Sequence, residues 1–335
     1  MTVPARLPIV QAPMAGGPST PELAAAVTGA GGFGYVAAGY LSPDALRTAL
    51  DRTRALTAAP VGVNVFVPGR PNADGAAIAN YAASLQPEAE RLGAPLGEPR
   101  WEDDAYPAKL DLLARAGVHT VSFTFGCPTA DVVARLHSAG VRVAVTVTSA
   151  DEATTAAAAG ADSLVVQGTE AGGHQGTFAG VTPNRASLNE ALASVRAVAD
   201  LPLVATGGIM TAADAVAAME AGAVAVQIGT ALLCTPEAGT SAPYRRALLE
   251  RRYSETVVTR AFSGRWARGL ANRFAVEHAD APAGYPQIHH LTRPLRAAAA
   301  QAGDPDVPNL WAGTGWSAIT DDDAATIVRR IAAGL

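Results

Sequence analysis

The chain has 335 residues, 49% hydrophobic, 16% charged and 5% aromatic, with a formal net charge of −5. That apolar fraction supplies a large core and excludes global disorder, while the acidic balance leaves no electrostatic footprint for nucleic acid or an anionic membrane. The N-terminal MTVPARLPIV lacks the charged head and long apolar stretch of a secretory leader, and no run of ~18 apolar residues suits a membrane span.

Short β-branched runs alternate with alanine-rich helical stretches. Strands are predicted at 8–14 (PIVQAPM), 33–38, 61–67, 120–125, 142–147, 163–168, 202–207 and 225–231. Most are continuously apolar rather than alternating, as a parallel sheet covered on both faces requires. Helix starts are marked by Ser19-Thr20-Pro21-Glu22, Ser42-Pro43-Asp44 and Thr211-Ala212-Ala213-Asp214. Gly31, Gly117, Gly140, Gly160 and Gly222 are expected to end helices just before the next strand. Length alone allows two domains, but eight strands with intervening helices fit a single α/β fold, a closed (β/α)8 TIM barrel.

Two stretches break the rhythm. Residues 68–107 are rich in Pro and Gly and lengthen the connection after the third strand. Residues 239–302 read as helices without strands, partly a last barrel helix and otherwise a helical subdomain over the barrel mouth. The expected organisation is a barrel from 1–238 and 303–335, with 239–302 as a helical substrate or lid subdomain. The tail 317–335 reads as a capped amphipathic helix returning to the barrel wall.

Several features carry less chemistry than they first suggest. Gly29-Ala30-Gly31-Gly32-Phe33-Gly34 matches GxGxxG, but it leaves a helix and enters a strand, the reverse of a dinucleotide loop. Of the 25 basic residues, 24 are arginines and one is Lys109, at a predicted helix start; this disfavours Schiff-base and Walker-type phosphate chemistry. Cys127 and Cys234, with no CxxC, read as small core residues, and a reducing, cytoplasmic setting is expected. His119 and His137 fit exposed or core-edge roles, His289 and His290 are adjacent and ill-placed to chelate one metal, and no metal site is expected. Arg260, Arg265, Arg268 and Arg273 read first as a solvated helical face, and otherwise as a lid surface or subunit contact.

Barrel enzymes place chemistry at the carboxyl ends of the strands. Those ends carry Pro13-Met14-Ala15-Gly16-Gly17, Asn64, Phe125-Gly126, Gln167, Gly207-Gly208 and Gly229-Thr230. A carboxamide both donates and accepts, so Asn64 and Gln167 suit the edge of a heteroaromatic ring, or else tie neighbouring strands together. Glycines after the seventh and eighth strands let backbone N–H groups approach a phosphate, and the Thr211-capped helix adds its positive end. His174 is the histidine embedded among glycines at a strand mouth, in QGTEAGGHQG, and is suited to proton abstraction near neutrality. Glu170 lies four residues earlier, but the intervening glycines argue against a shared helix face and a metal pair.

Together, QAPMAGGPSTPELAAAVTGAGGFGYVAAGYL at 11–41, VNVFVP at 63–68, VSFTFGCP at 121–128, VVQGTEAGGHQG at 165–176 and the glycine-rich segment 205–233 resemble the nitronate monooxygenase family, class I branch, formerly called 2-nitropropane dioxygenases. The resemblance implies an FMN-binding TIM barrel that oxidises alkyl nitronates such as propionate 3-nitronate with O2 to a carbonyl compound and nitrite, through a flavosemiquinone and without reduced nicotinamide. It implies His174 as catalytic base and a flavin site built from Ala12, Pro13, Met14, Ala15, Asn64, Gln167, Gly172, Gly173, Gly207, Gly208, Gln227, Ile228, Gly229 and Thr230. Gln175 stands where the family often has arginine, and Trp311-Ala312-Gly313-Thr314-Gly315 resembles a return of the chain to the active site. The partners implied are a small nitronate or nitroalkane and O2, with no nucleic acid or membrane; a homodimer is the oligomer considered. The rival readings are an NAD(P)H-dependent FMN reductase of quinones or enoyl thioesters on the same barrel, and a non-catalytic flavin-binding protein.

Overall fold

The computed structural model describes residues 4–70 and 73–335. Its strands, in chain order, are β1 (Ile9–Gln11), β2 (Tyr35–Ala37), β3 (Gly62–Phe66), β4 (Thr120–Thr124), β5 (Arg142–Val147), β6 (Ser163–Gln167), β7 (Gly173–His174), β8 (Leu203–Thr206), β9 (Ala225–Ile228), β10 (Thr256–Thr259) and β11 (Ala267–Leu270). Eight of them form one parallel sheet in the order β1-β9-β8-β6-β5-β4-β3-β2. The predicted barrel strands therefore all form, trimmed by a few residues at their ends.

The sheet closes between β1 and β2. Phe33 N donates to Ile9 O and Gln11 N to Phe33 O, each at 2.9 Å. Beyond that point the backbone ladder gives way to a side chain. The fully buried Gln11 carboxamide donates from Nε2 to Tyr35 O and accepts at Oε1 from Tyr35 N, both at 3.1 Å. A carboxamide has the donor and acceptor of a peptide group, so Gln11 continues the ladder where two main chains cannot both reach.

The helices form where the sequence signals place them. Thr20, Ser42 and Thr211 cap the helices Pro21–Gly29, Pro43–Leu56 and Ala212–Glu220, the last with a capping box to Asp214. Gly31, Gly117, Gly140, Gly160 and Gly222 all have positive φ, the backbone region that ends a helix at least cost in glycine. The tail helix Ala324–Ala332, capped by Asp323, buries Ile327, Val328 and Ile331 against the barrel cluster.

The GxGxxG segment is packing chemistry. A Cβ on Gly34 would lie 2.2 Å from Ala24 O, and one on Gly32 would lie 2.8 Å from Ile9 O. These glycines let the first helix press onto the barrel seam.

The reading of 239–302 as helices without strands is corrected by the structure. β10 and β11 pair antiparallel, and β11 pairs in turn with β7. The β-branched Thr256-Val257-Val258-Thr259 is too short to stand out from the helical signal around it, and although it forms a hairpin with β11, the second partner of β11, β7, is remote in sequence. A second apolar cluster covers the barrel mouth. It joins Phe262, Phe274, Ile288, Leu291 and Leu295 to Ile78, Tyr81, Leu85 and Ala89. The Pro/Gly-rich connection after β3 thus contributes the helices Gly75–Ser84 and Gln86–Leu92 to this cover, which 239–302 alone leaves out. The helix Ala242–Leu249 packs into the barrel cluster through Tyr244, Ala247 and Leu248.

We expect Gly34→Ala to destabilise the fold by about 2 kcal/mol through overpacking against main chain, read as a lower denaturant midpoint. An unchanged midpoint would show that this glycine turn is not packing-limited.

Candidate active site

The strand ends and the cover enclose a cavity of about 490 Å³, the size of a single small-molecule or cofactor site. Of the fourteen residues that the family resemblance implies for a flavin, thirteen line it, from Ala12 through Thr230, together with His174. Ile228 does not. It is 1% exposed and its side chain belongs to the hydrophobic core, while its carbonyl accepts the N–H of Ala12 at 2.8 Å. Strand alternation explains the difference: Gln227 and Gly229 face the cavity, and the residue between them faces the helices.

The two carboxamides singled out in the sequence differ in what they hold. Asn64 Nδ2 donates to Ser122 O at 3.2 Å and to Ser122 Oγ and Thr124 Oγ1 at 3.0 Å. It ties β3 to β4 and leaves its oxygen without a partner among the described residues. Gln167 is committed at both ends: Nε2 donates to His174 O at 3.2 Å, and Oε1 accepts from Gly176 N at 2.7 Å. Gln167 therefore braces the His174 segment. Gln227, on β9, makes no side-chain hydrogen bond within the described residues and faces the cavity.

The glycines make room. A Cβ on Gly172 would lie 2.5 Å from Gly313 N, so this residue admits the chain returning at 311–315. That return is pinned by Thr314 N donating to Glu170 O and Gly313 N to Thr230 Oγ1, each at 3.0 Å. Gly207 and Gly208 have φ of 124° and 73°. Among the described residues, the N–H groups of Gly208 and Thr230 have no protein acceptor, which suits an anionic group at this side of the mouth. The Thr211-capped helix contributes less than the sequence suggests. Its Asp214 carboxylate already accepts from Met210 N at 3.0 Å and Thr211 N at 2.9 Å, so the helix end is neutralised locally.

His174 sits on β7, opposite Ala267 of β11. Its Nε2 lies 2.7 Å from Ser263 Oγ. Phe125, Tyr285 and Trp311 surround the ring, with centroid separations of 5.6, 5.7 and 5.4 Å. Burial, aided by the Arg265 and Arg296 charges, pushes the imidazole down to about 3, so it is neutral at physiological pH. Glu170 does not share a face with it; its carboxylate accepts from Leu188 N at 3.0 Å.

The arginine cluster is corrected from a solvated face to an inward brace. Arg265 is 8% exposed, lies 4.1 Å from the Phe125 ring centroid, and donates to Gln175 O and Thr177 O. Arg268 donates to Thr169 O at 2.8 Å, and Arg260 stacks on Trp266 at 4.4 Å. Arg273 alone starts a helix, paired with Glu88 and Glu277. Gln175, where the sequence departs from the resembled pattern, clasps Asn184 through two hydrogen bonds of 2.8 and 2.7 Å, and it does not line the cavity.

Sequence reasoning missed the far wall. His289 stacks on Tyr40 at 4.4 Å, the Tyr285 hydroxyl donates to that of Tyr40 at 3.2 Å, and Arg296 donates to His289 O at 3.0 Å. Burial pushes His289 down to about 2 and Arg296 down to about 10. His289, Arg293, Arg296, Ala297 and Ala300 all line the cavity from the helix Gln287–Gln301. Their helical spacing was the available signal. The charged side chains of the lining are Arg293 and Arg296. Lys109 stays outside the site, fully buried with Nζ 2.7 Å from Asp104 Oδ2. No group of three or more metal-ligating side chains occurs among the described residues. Nor is any described helix long and apolar enough to cross a membrane.

Comparison with known proteins gives this arrangement a family. The family model described as nitronate monooxygenase matches residues 3–333. The chain belongs to the nitronate monooxygenase family. It is accordingly an oxidoreductase, of a family that uses a flavin and acts on small molecules with oxygen. A probable nitronate monooxygenase of Staphylococcus aureus strain MSSA476 is 38% identical, with 97% of this chain and 93% of the relative covered. The solved nitroalkane oxidase of Streptomyces ansochromogenes is 47% identical with a TM-score of 0.95, covering 99% of this chain and 96% of that one. FabK of Thermotoga maritima is more distant, 25% identical with a TM-score of 0.78 over 99% of this chain and 94% of its own.

Replacing Gln167 with Leu removes the acceptor of Gly176 N–H and the donor to His174 O. Amide exchange at Gly176 is expected to speed up by roughly ten- to a hundredfold, the loss of about 1–3 kcal/mol of local protection. Unchanged exchange would show the loop to be held by β11 alone.

Proposed function

We propose that the chain oxidises alkyl nitronates, propionate 3-nitronate among them, and the nitroalkanes that give rise to them, consuming O2 and releasing a carbonyl compound and nitrite. FMN is the flavin this reading places in the cavity, and the residues present fit it. The unpartnered Asn64 oxygen and the free Gln227 carboxamide offer complementary groups for a ring bearing C=O and N–H. Gly173, whose Cβ position is open, leaves room for that ring beside Gly172, and the Gly208 and Thr230 amides suit its phosphate end. When bound, FMN supplies the electron acceptor and the route to oxygen.

The observation that carries the reading is His174, a neutral imidazole on the cavity wall with one nitrogen engaged by Ser263. Nitroalkanes are carbon acids whose charge, on deprotonation, moves to the nitro oxygens. His174 accepts the α-proton, and the Arg265 and Arg296 charges that depress its own basicity favour the anion left behind. Phe125, Tyr285 and Trp311 exclude water from the carbon that loses the proton. A preformed nitronate needs no base, so the same cavity handles it without this step. Free thiols at Cys127 and Cys234 are in keeping with a reducing, cytoplasmic compartment.

The test is a comparison of substrates on FMN-loaded protein. His174→Asn is expected to lower turnover of a neutral nitroalkane at least ~100-fold, while turnover of the matching nitronate stays within a few-fold. Equal loss on both overturns the base. The depressed pKa gives a second expectation. A group held down to about 3 is unprotonated throughout the range above it, so kcat/KM for the neutral nitroalkane should show no His174 titration between about pH 5 and 8. An acid limb centred near ~6.5, the ordinary histidine value, would contradict it.

A further inference from the structure

His174 and Ser263 lie in one ladder. β7 pairs with β11, Gln175 N donates to Trp266 O at 2.8 Å, and the turn before β11 carries Ser263. Gly264, at φ 76°, fixes that turn, since a Cβ there would lie 2.7 Å from Gly284 C. Ser263 is 2% exposed. Its Oγ is 2.7 Å from His174 Nε2, 3.3 Å from Arg265 O and 3.4 Å from Arg265 N.

A serine hydroxyl has one proton and two lone pairs. Arg265 N–H can only donate, so it takes one lone pair. The proton then goes either to Arg265 O or to His174 Nε2. Sent to Arg265 O, it leaves the second lone pair for an Nε2–H, and all four groups are satisfied. Sent to Nε2, it strips the Arg265 carbonyl of its donor and occupies the basic nitrogen before any substrate arrives.

We propose that Ser263 is a positioning residue that holds His174 as the Nε2–H tautomer, making Nδ1 the proton acceptor. The proposal rests on the reading of His174 as the base. Among the described residues Nδ1 has no protein partner. On proton transfer the α-C–H bond breaks and its electron pair moves onto the nitro group. The proton forms the Nδ1–H bond, and the Nε2–H···Oγ hydrogen bond persists through the change without any group turning.

The experiment uses the full chain loaded with FMN and labelled with 15N-histidine, His174 being assigned by difference from His174→Asn. The expected spectrum shows a protonated Nε2 and an unprotonated Nδ1. Ser263→Ala should mix the two tautomers and lower kcat for a neutral nitroalkane roughly 10- to 100-fold, with nitronate kcat within twofold. Ser263→Thr, which restores the hydroxyl, should recover the wild-type tautomer and most of the rate. A protonated Nδ1 in the wild type, or an unchanged tautomer in Ser263→Ala, overturns the proposal. If the tautomer shifts while both substrates keep their rates, Ser263 still fixes the ring, and it is the base assignment that fails.

Discussion

The pairing of β7 with β11 is the contact on which the site depends. Two residues after a barrel strand, Gly173 and His174, join a strand more than ninety positions later, and the barrel mouth becomes continuous with its cover. The price is small because Gly173, at φ 78°, allows the chain to swing out of the barrel wall. Everything that orients His174 follows from that ladder: Gln167 holds it from the barrel side, Ser263 and Arg265 from the cover side. A histidine on an unanchored loop would lose rotamer freedom only on binding; here the cost is met during folding.

The far wall is built on different physics. Tyr40 and Phe125 both have positive φ, 67° and 76°, unusual for bulky residues. Asp104 Oδ1 accepts the Tyr40 N–H at 3.0 Å, while the Arg265 guanidinium covers the Phe125 ring. Such conformations persist where the surroundings over-determine them. In this chain they bring aromatic faces to the cavity from strand ends that would otherwise turn away. The buried Lys109–Asp104 pair stands behind Tyr40, with burial lowering the ammonium's affinity for its proton and raising the carboxyl's.

The barrel was legible in the sequence because most strands are short, largely apolar runs, and five of the eight follow a positive-φ glycine, Gly31, Gly117, Gly140, Gly160 or Gly222. Val63, Val65, Val121, Phe123, Val143 and Val145 are all fully buried, as those runs require. Asn64 and Gln167 were legible for the same reason, as carboxamides at the ends of such runs, whereas Gln227 came only with the family resemblance. Ile228 belongs to the same motif, but the strand alternates its faces and turns its side chain into the core. The cover was not legible. Its sheet joins segments far apart in sequence, and Ser263 acquires meaning only from what lies across the ladder. The arginines of 260–273 looked solvated because a charge run carries no information about which aromatic ring or carbonyl it will meet.

The Gln11 carboxamide has a consequence for assembly. An open parallel sheet exposes a row of main-chain groups at each rim, available to any neighbouring chain. Here the last gap between the first and final members of the ring is sealed by a side chain acting as a peptide surrogate. Among the described residues the barrel thus offers no bare rim for strand addition, and the sheet edges on β7 and β10 belong to the small sheet above the mouth. Copies of this chain that meet barrel to barrel must do so through helical faces and loops.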